Sequence, residues 1–353
     1  MPKPKVYIYT PVDQTGESHR RFVEAGCDLR LGDATWHNLA AANENHPLDF
    51  DADTAALLGV AARRIPITRE VMEKAASLRI VAKYTVGVDD VDIDAATDLG
   101  VLVTHCPTEA NWSGVAEGVM AYMLALLKKV REKDRHMKQG GWRDPALMGI
   151  YLGRRFDGYG GITVGIIGLG RIGSRLADLL APWRVRILAC DPYVDESKFI
   201  HHDVRQVDLE TLLRSSDVVT LHCDLTEETK GFIGDQELGM MKPNAVLINA
   251  ARGPMVDLDA LYEALSRDAI AGAAIDVFPE EPPDVQLPLR SLGDKVLLSP
   301  HMITNNRNGG LEPAFPLATE AVLAALRGEV PDRVYNREVI PAWRERFGEK
   351  NIL

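Results

Sequence analysis

Short apolar runs alternate with helix-like segments along the first 110 residues or so of the chain. The runs read KVYIYT, AALLGVA, LRIVAKYTV and VLVTHC. Apolar runs that are bounded by polar turns predict buried strands, and strands that alternate with helices form mostly parallel sheets. This part of the sequence therefore predicts a domain built from βα units.

A long amphipathic segment follows, from Ser113 to Gln139. Its apolar residues recur at steps of three and four, which is the spacing of one helix face. They are Val115, Val119, Tyr122, Met123, Leu126, Leu127 and Val130. We expect one long helix whose apolar face packs against another domain or a second subunit.

A second βα series begins at Ile162. The runs ITVGIIG, RVRILACD, DVVTLHCD, AVLINAAR, IAGAAIDVF and VLLSPH predict six further strands, most of them separated by helical segments. This pattern is typical of a complete doubly wound domain. The tail from about residue 305 to 353 is helical and then punctuated by prolines, and we expect it to return to the first domain. A chain of 353 residues is also too long for one ordinary domain.

Composition narrows the function classes. A formal charge of −11 argues against general binding to nucleic acids or anionic membranes. The N-terminus has no signal-peptide pattern, and no apolar stretch is long enough to span a bilayer. The cysteines lack the spacing of a metal site, so we expect reduced thiols in a cytoplasmic protein without a metal. They are Cys27, Cys106, Cys190 and Cys223.

The segment GIIGLGRIG carries a dinucleotide-binding pattern, Gly168-x-Gly170-x-x-Gly173, after a predicted strand and before a predicted helix. The glycines permit a tight turn, close approach of a pyrophosphate and tight helix packing. Asp191 ends the next strand, where a carboxylate would bind the ribose hydroxyls and repel a 2′-phosphate, which predicts NAD rather than NADP. Two alternatives stay open: Asp191 as a turn residue before Pro192, and a glycine-rich turn for S-adenosylmethionine.

Three later strand ends each carry one polar residue, namely Arg252, Glu281 and His301. Parallel strands end at one edge of a sheet, so these side chains should lie near the cofactor. An arginine can bind a carboxylate through two hydrogen bonds, and a histidine paired with a glutamate can exchange a proton. Together they predict reduction of a carbonyl next to a carboxylate. Taken singly, each could equally be an ordinary surface or loop residue.

The motifs also stand in the order of a known family. KYTVGVDDVDIDAATDLGVLV, GVAEGVMAYMLALLKK, RHMKQGGW and TVGIIGLGRIGSRLA are followed by LHCDLTEETKGFI, MKPNAVLINAARGPMVD, AAIDVFPEEP and VLLSPH. Over nearly its whole length the chain resembles the D-isomer-specific 2-hydroxyacid dehydrogenases. The resemblance implies a flavodoxin-like substrate domain, residues 1–108 and 305–353, with a Rossmann NAD-binding domain, residues 109–304, inserted into it and a cleft between them. It also implies a homodimer formed through the Ser113–Gln139 helix.

The resemblance assigns roles to individual residues. Arg252 would bind the substrate carboxylate and keto oxygen, His301 would be the acid/base, and Glu281, rather than Glu280, would be its partner. The backbone N–H groups of Val86 and Gly87 would hold the carboxylate. The cofactor-binding residues would be Gly168, Gly170, Arg171, Ile172, Gly173, Asp191, Ala250 and Asp276, with Asp276 near the nicotinamide carboxamide.

Several departures from the family pattern bear on the substrate. The run after His301 is MITNNRN instead of small residues, Asp224 replaces a proline, and Trp112 and Gly114 replace small polar residues. Candidates for shaping the substrate pocket are Tyr84, Trp112, Met302 and Asn306, although Trp112 and Met302 could equally be packing residues. Arg63 and Arg64 could reach a distal phosphate or lie on a solvated loop.

These features predict an NAD-dependent oxidoreductase that interconverts a small 2-oxo acid and its D-2-hydroxy acid. Two alternatives are a dinucleotide-sensing interaction protein of the corepressor type and an enzyme that oxidises phosphite. Formate oxidation is disfavoured, because the corresponding enzymes have glutamine in place of Glu281.

Overall fold

The computed structural model describes residues 2–33, 48–61, 65–307 and 309–353. The chain forms two compact units. Unit 1 comprises Met1–Asn111 and Arg307–Leu353, and unit 2 comprises Trp112–Asn306. Arg63 and Arg64 lie outside the described residues, so their predicted role stays a prediction.

Among its described residues, unit 1 has a sheet of five parallel strands in the order β2-β1-β3-β4-β5. The strands are β1 (Lys5–Ile8), β2 (Asp28–Leu31), β3 (Thr54–Gly59), β4 (Ile80–Lys83) and β5 (Leu102–Thr104). The helices between them are α1 (Glu17–Glu24), α2 (Arg69–Glu73) and α3 (Ile93–Asp98). This strand order is that of flavodoxin-like folds. Every residue of β3 and β4 is buried, which explains why both strands are mostly apolar; the buried polar exceptions are Thr54 and Lys83.

Unit 2 begins within a helical region and continues into a larger sheet. Its helices are α4 (Glu109–Leu127), α5 (Val130–Lys138), α6 (Arg171–Leu180), α7 (Glu196–His201), α8 (Leu209–Ser215), α9 (Asp235–Met240) and α10 (Leu258–Ser266). Its strands are β6 (Thr163–Ile167), β7 (Arg186–Cys190), β8 (Arg205–Gln206), β9 (Val218–Leu221), β10 (Val246–Asn249), β11 (Gly272–Ile275) and β12 (Val296–Leu298).

The strands of unit 2 are all parallel, in the order β12-β11-β10-β9-β6-β7-β8. β6 lies inside the sheet. β7 and β8 follow it towards one edge, and β9, β10, β11 and β12 then follow on its other side towards the opposite edge. In such doubly wound sheets ligands bind at the carboxyl ends of the strands, next to the strand where the direction reverses. The prediction of two α/β domains with parallel sheets is confirmed.

The predicted Ser113–Gln139 helix is two helices in the structure. α4 ends at Leu127, Lys129 adopts a left-handed backbone conformation with φ of 51°, and α5 begins at Val130. The apolar side chains of α4, including Val119 and Met123, are buried in the hydrophobic core of unit 2. The prediction of one continuous helix is therefore wrong, because the left-handed backbone at Lys129 interrupts it. The apolar face of α4 is covered by its own unit.

The chain then returns to unit 1 through α11 (Phe315–Arg327) and α12 (Ile340–Phe347). Arg79 ties this tail to the sheet, since its buried guanidinium donates to the carbonyl oxygens of Ala325 (3.0 Å) and Lys350 (2.8 Å). Trp343 is fully buried and its indole N–H donates to the carbonyl oxygen of Arg79 at 2.9 Å. The buried Arg79 side chain therefore holds the C-terminal segment against the sheet through hydrogen bonds to backbone carbonyl groups.

Candidate active site

The glycine pattern of unit 2 forms a tight turn between β6 and α6. Gly168 has φ of 93°, and a Cβ there would lie 2.6 Å from the backbone nitrogen of Cys223, so only glycine fits. A Cβ at Gly173 would lie 2.1 Å from the carbonyl oxygen of Gly168. Gly170, by contrast, has no atom within 4 Å of the position of a Cβ. The turn is therefore closed where it packs on the protein and open at Gly170, beside the first N–H groups of α6, as a bound pyrophosphate requires.

Asp191 lies immediately beside this turn, after the end of β7. One carboxylate oxygen accepts from the backbone N–H of Leu169 at 2.8 Å, and the other accepts from Tyr193 at 2.9 Å. Asp191 thus makes the hydrogen bond expected of a turn residue before Pro192. It also accepts a hydrogen bond from the glycine turn. Its negative charge is held at a defined position next to the dinucleotide pattern.

Trp112 lies beside the same turn. The guanidinium carbon of Arg171, the first residue of α6, is 5.9 Å from the centre of the Trp112 ring. This distance permits a cation–π interaction. Trp112 was predicted to shape a substrate pocket, whereas in the structure its ring contacts an arginine of the dinucleotide pattern.

Arg252 follows β10, and the residues around it explain the sequence NAARG. The side chain of the buried Asn249 accepts from the N–H of Ala251 at 3.1 Å and donates to the carbonyl oxygen of Arg252 at 3.0 Å. A Cβ at Gly253 would lie 1.9 Å from the carbonyl carbon of Phe278, so the loops after β10 and β11 are in direct contact. The Arg252 guanidinium is partly buried and donates to the carbonyl oxygen of Ala251 at 2.8 Å.

His301 and Glu281 form a hydrogen-bonded pair. The Nδ1 atom of His301 lies 2.8 Å from the Oε2 atom of Glu281, and the Oε1 atom of Glu281 accepts from the N–H of Phe278 at 3.0 Å. A carboxylate accepts, so Nδ1 carries the proton, and Nε2 is left to exchange a proton with another molecule. The side chain of His301 is 52% exposed. Its φ of 54° is unusual for a residue other than glycine, and such conformations cluster at functional sites.

The buried Asp276 anchors the backbone on both sides of this histidine. Its main-chain oxygen accepts from the N–H of His301 at 2.8 Å, and its carboxylate accepts from Met302 (3.2 Å) and Ile303 (3.3 Å). The hydroxyl of Tyr122 also donates to this carboxylate at 3.2 Å, and burial raises the pKa of Tyr122 to about 12, which keeps the hydroxyl protonated. This anchoring role of Asp276 was not predicted, and neither was Tyr122, because both depend on contacts between distant parts of the chain.

A further histidine that the sequence did not single out lies next to the glycine turn. His222 follows β9, and its backbone N–H donates to the carbonyl oxygen of Ile167 at 2.7 Å. Its Nε2 atom is 3.0 Å from the hydroxyl of Thr220. Burial lowers the pKa of His222 to about 3, so this ring is neutral at physiological pH.

In unit 1, Val86 and Gly87 lie in a loop that follows β4. Both residues are partly buried. The hydroxyl of Thr85 donates to the carbonyl oxygen of Gly87 at 3.0 Å and accepts from the N–H of Ala61 at 3.0 Å. These bonds hold the loop against the end of β3.

Residues next to this loop differ from the sequence-based predictions in two respects. Tyr84 is fully buried in the core and its ring lies edge-on to Phe315 at 5.2 Å, so it is a packing residue and not the predicted lining of a substrate pocket. Lys83 and Asp90 form an ion pair at 2.5 Å in which both side chains are 0% exposed. The sequence offered no signal for this pair except the proximity of a lysine and an aspartate on either side of the loop.

The remaining predicted residues differ in their solvent exposure. Ala250 is buried, Ile172 is partly buried, and Met302, Asn306 and Glu280 are exposed. A Cβ at Gly114 would lie 3.0 Å from the Nδ2 atom of the exposed Asn306 side chain. Among the described residues there is no group of three or more His, Cys, Asp or Glu side chains that could hold a metal ion. No helix in the described part of the chain is long and apolar enough to cross a membrane.

Comparison with known proteins gives the family. Residues 120–302 match the model of the NAD-binding domain of D-isomer-specific 2-hydroxyacid dehydrogenases. The chain is 39% identical over 347 residues to a glyoxylate reductase of Pyrococcus horikoshii, which covers 98% of this chain and 99% of the relative. It is also 39% identical over 256 residues to a D-3-phosphoglycerate dehydrogenase of Archaeoglobus fulgidus, covering 72% of this chain but only 47% of that protein.

Solved structures agree with this match. The D-lactate dehydrogenase of Aquifex aeolicus in complex with NAD and lactic acid is 28% identical to this chain. The TM-score is 0.78, and the match covers 92% of this chain and 96% of that one. The glycine turn, the open space at Gly170 and the fixed Asp191 fit a bound dinucleotide, which agrees with the predicted cofactor, NAD. The chain therefore belongs to the D-isomer-specific 2-hydroxyacid dehydrogenases, a family of NAD-dependent enzymes.

Proposed function

We propose that the protein interconverts a small 2-oxo acid and its D-2-hydroxy acid with NAD as the redox cofactor. The observation that carries the proposal is the His301–Glu281 pair at 2.8 Å in the same unit as the dinucleotide turn. The loops that bear Arg252, Glu281 and His301 follow β10, β11 and β12, which are neighbours in the sheet. Their side chains therefore belong to the side of unit 2 at which the parallel strands have their carboxyl ends. The glycine turn, which follows β6, belongs to the same side.

Each residue has a chemical task in this proposal. The cofactor, when bound, supplies or accepts a hydride at the nicotinamide ring. His301 donates the proton of Nε2 to the carbonyl oxygen of the 2-oxo acid during reduction and removes it in the reverse reaction. Glu281 holds the ring orientation through Nδ1 and balances the positive charge of the doubly protonated ring. Arg252 is a permanent cation that binds the substrate carboxylate and the keto oxygen.

The backbone N–H groups of Val86 and Gly87 in unit 1 are proposed as further donors to the substrate carboxylate. They lie in a loop whose carbonyl groups are engaged by side chains, so its N–H groups have a defined direction. Backbone donors of this kind cost little reorganisation when an anion binds. On this proposal unit 1 is the substrate domain and unit 2 the NAD domain.

The first test is turnover of 2-oxo acids graded in size, with NADH oxidation followed by absorbance. Because a relative that matches over nearly its whole length is a glyoxylate reductase, glyoxylate is tested first, followed by hydroxypyruvate, pyruvate and phosphohydroxypyruvate. We expect enzymatic turnover of at least one acid and, where the product is chiral, formation of the D-enantiomer. Tight NADH binding without turnover of any acid would contradict the proposal.

The role of Asp191 predicts a change in coenzyme preference. Asp191→Ala should raise kcat/KM for NADPH relative to NADH by about tenfold or more, because the carboxylate that repels a 2′-phosphate is removed. Asp195→Ala is the matched control, since Asp195 also accepts a backbone N–H in the same loop, at 2.9 Å from Ser197. An Asp191→Ala variant that still rejects NADPH as strongly as the wild type would place the discrimination elsewhere.

We also propose a homodimer, formed by an exposed apolar surface after α5 rather than by the buried face of α4. Its large side chains are Trp142 (70% exposed), Met148 (72%), Tyr151 (55%) and Phe156 (96%). Large apolar side chains that are left exposed within one segment are candidates for burial against another protein. A second copy of the chain is the partner that the family resemblance implies.

Sedimentation velocity tests this surface. The wild type is expected to sediment as a dimer and Phe156→Asp mainly as a monomer, because a carboxylate would be buried in the interface. Val285→Asp is the control, since Val285 is 79% exposed and lies outside this segment. A monomeric wild type, or a Phe156→Asp variant as dimeric as the control, would contradict the proposed interface.

A further inference from the structure

We infer that His105 is a positioning residue for the substrate carboxylate, acting through the Val86–Gly87 peptide group. The inference rests on the proposed function of the Val86 and Gly87 N–H groups and adds a residue for which the sequence suggested no role. It depends on contacts within unit 1 alone.

The sheet brings His105 to this loop. β4 and β5 are adjacent and parallel, with Ala82 paired to Thr104, so the residues that follow the two strands emerge side by side. The pairing continues beyond the strands, because the N–H of Cys106 donates to the carbonyl oxygen of Thr85 at 2.9 Å. His105 therefore lies beside the start of the loop.

The imidazole of His105 contacts one peptide group of that loop. Its Nδ1 atom lies 3.1 Å from the carbonyl oxygen of Val86. A carbonyl oxygen only accepts, so Nδ1 carries a proton and donates it. The ring is held edge-on by Tyr335 at 5.5 Å between ring centres, with an interplanar angle of 79°. Few other orientations of the ring would keep both contacts.

Holding the Val86 carbonyl also sets the direction of the Gly87 N–H. The two groups belong to the same planar trans peptide and point to opposite sides of it. A hydrogen bond accepted at the oxygen polarises the peptide and strengthens its N–H as a donor. The next peptide is held in the same way, since Thr85 donates to the carbonyl oxygen of Gly87 at 3.0 Å. Two side chains thus orient two successive peptide groups, and the first of these carries a proposed carboxylate donor.

The local surroundings allow the imidazole to be replaced without crowding. His105 is only partly buried and borders a cavity of about 270 Å³ together with Cys106, Glu320 and Arg333. Because the ring is partly exposed and borders this cavity, its replacement loses less packing than that of a fully buried ring. A change at position 105 therefore tests the hydrogen bond more than the packing.

The experiment compares steady-state kinetics of variants at position 105 with the best 2-oxo acid. His105→Leu should raise KM for the acid, and the inhibition constant of oxamate, by about three- to tenfold, the range for loss of one hydrogen bond. kcat and the Kd for NADH should stay within about twofold, because carboxylate binding is lost equally in ground and transition states. His105→Asn keeps an N–H donor at a similar reach and should restore KM to within about twofold.

Further variants separate this role from a general effect on folding. His19→Leu removes another partly buried imidazole of unit 1, on α1, and should leave KM unchanged. If His105→Leu does not fold, the pair His105→Asn and His105→Ala replaces it, because both side chains are uncharged and only asparagine donates. KM should then rise in the alanine variant alone.

The outcomes distinguish the role of His105 from the proposed function of the protein. An active wild type with unchanged KM in His105→Leu would overturn the role of His105 and leave the proposed function standing. A fall in kcat without a change in KM, or a failure of His105→Asn to restore KM, would also overturn it. Absence of turnover by the wild type on every 2-oxo acid would instead contradict the proposed function, and the inference about His105 with it.

Discussion

His301→Gln is expected to lower kcat by roughly two to four orders of magnitude, the usual contribution of a positioned acid/base group. Glutamine cannot carry the proton that Nε2 exchanges with the substrate oxygen. NADH binding should change little, because the glycine turn and Asp191 lie in other loops than the histidine. The measurement is kcat with saturating NADH and 2-oxo acid, together with the Kd for NADH from fluorescence.

Two further variants make this result specific. Glu281→Gln should cause a smaller loss than His301→Gln, because it removes the charge that stabilises the protonated ring while the acid/base itself remains. His201→Gln is the matched control, since it replaces an exposed histidine at the end of α7 in the same unit, and it should leave kcat unchanged. Retention of more than about a tenth of wild-type kcat by His301→Gln would show that another group transfers the proton.

The second large effect concerns the stability of unit 1. Lys83→Met is expected to reduce the free energy of unfolding by about 3–5 kcal/mol, the cost of breaking a buried ion pair by removing one partner. The Lys83 ammonium donates to Asp90 and to the hydroxyl of Tyr9, both at 2.5 Å, and all three residues are buried. Burial lowers the pKa of Lys83, and the negative charge of Asp90 opposes that effect. The Asp90 carboxylate thus stabilises the charged form of Lys83.

Urea unfolding of matched variants measures this dependence. Lys83→Met/Asp90→Leu should recover much of the lost stability, because a buried ion pair can often be replaced by apolar residues. Lys5→Met is the control, since Lys5 pairs with Asp51 on the surface, and exposed pairs contribute little. Equal losses in Lys83→Met and Lys5→Met would contradict the importance of the buried pair.

The Lys83–Asp90 ion pair, which stabilises unit 1, also holds the loop that is proposed to bind the substrate. Lys83 ends β4 and Asp90 lies beyond Val86 and Gly87, so the pair closes the base of the loop. Within the loop, Thr85 and His105 hold the two peptide groups. The loop is thus positioned by charges at its base and by hydrogen bonds along its length.

The chemical part of the site could be predicted because it depends on short segments. The glycine turn must accommodate a left-handed backbone at Gly168 and a close contact at Gly173, and only glycine satisfies both. Arg252, Glu281 and His301 each follow an apolar strand, and parallel strands end at one edge. These residues are therefore predictable from their positions in the sequence.

The alternation of apolar strands and helical segments by itself determined the fold class, because burial on both sheet faces leaves continuous apolar runs in the sequence. Only the tertiary structure decided how distant side chains combine. It ended the long helix near Lys129, placed Tyr84 in the core, directed the Asp276 carboxylate to the backbone after His301, and set His105 against Val86. Local patterns report which strands are buried on both faces. Strand order decides which buried or partly buried polar groups meet, and the local patterns of a single sequence do not reveal that order.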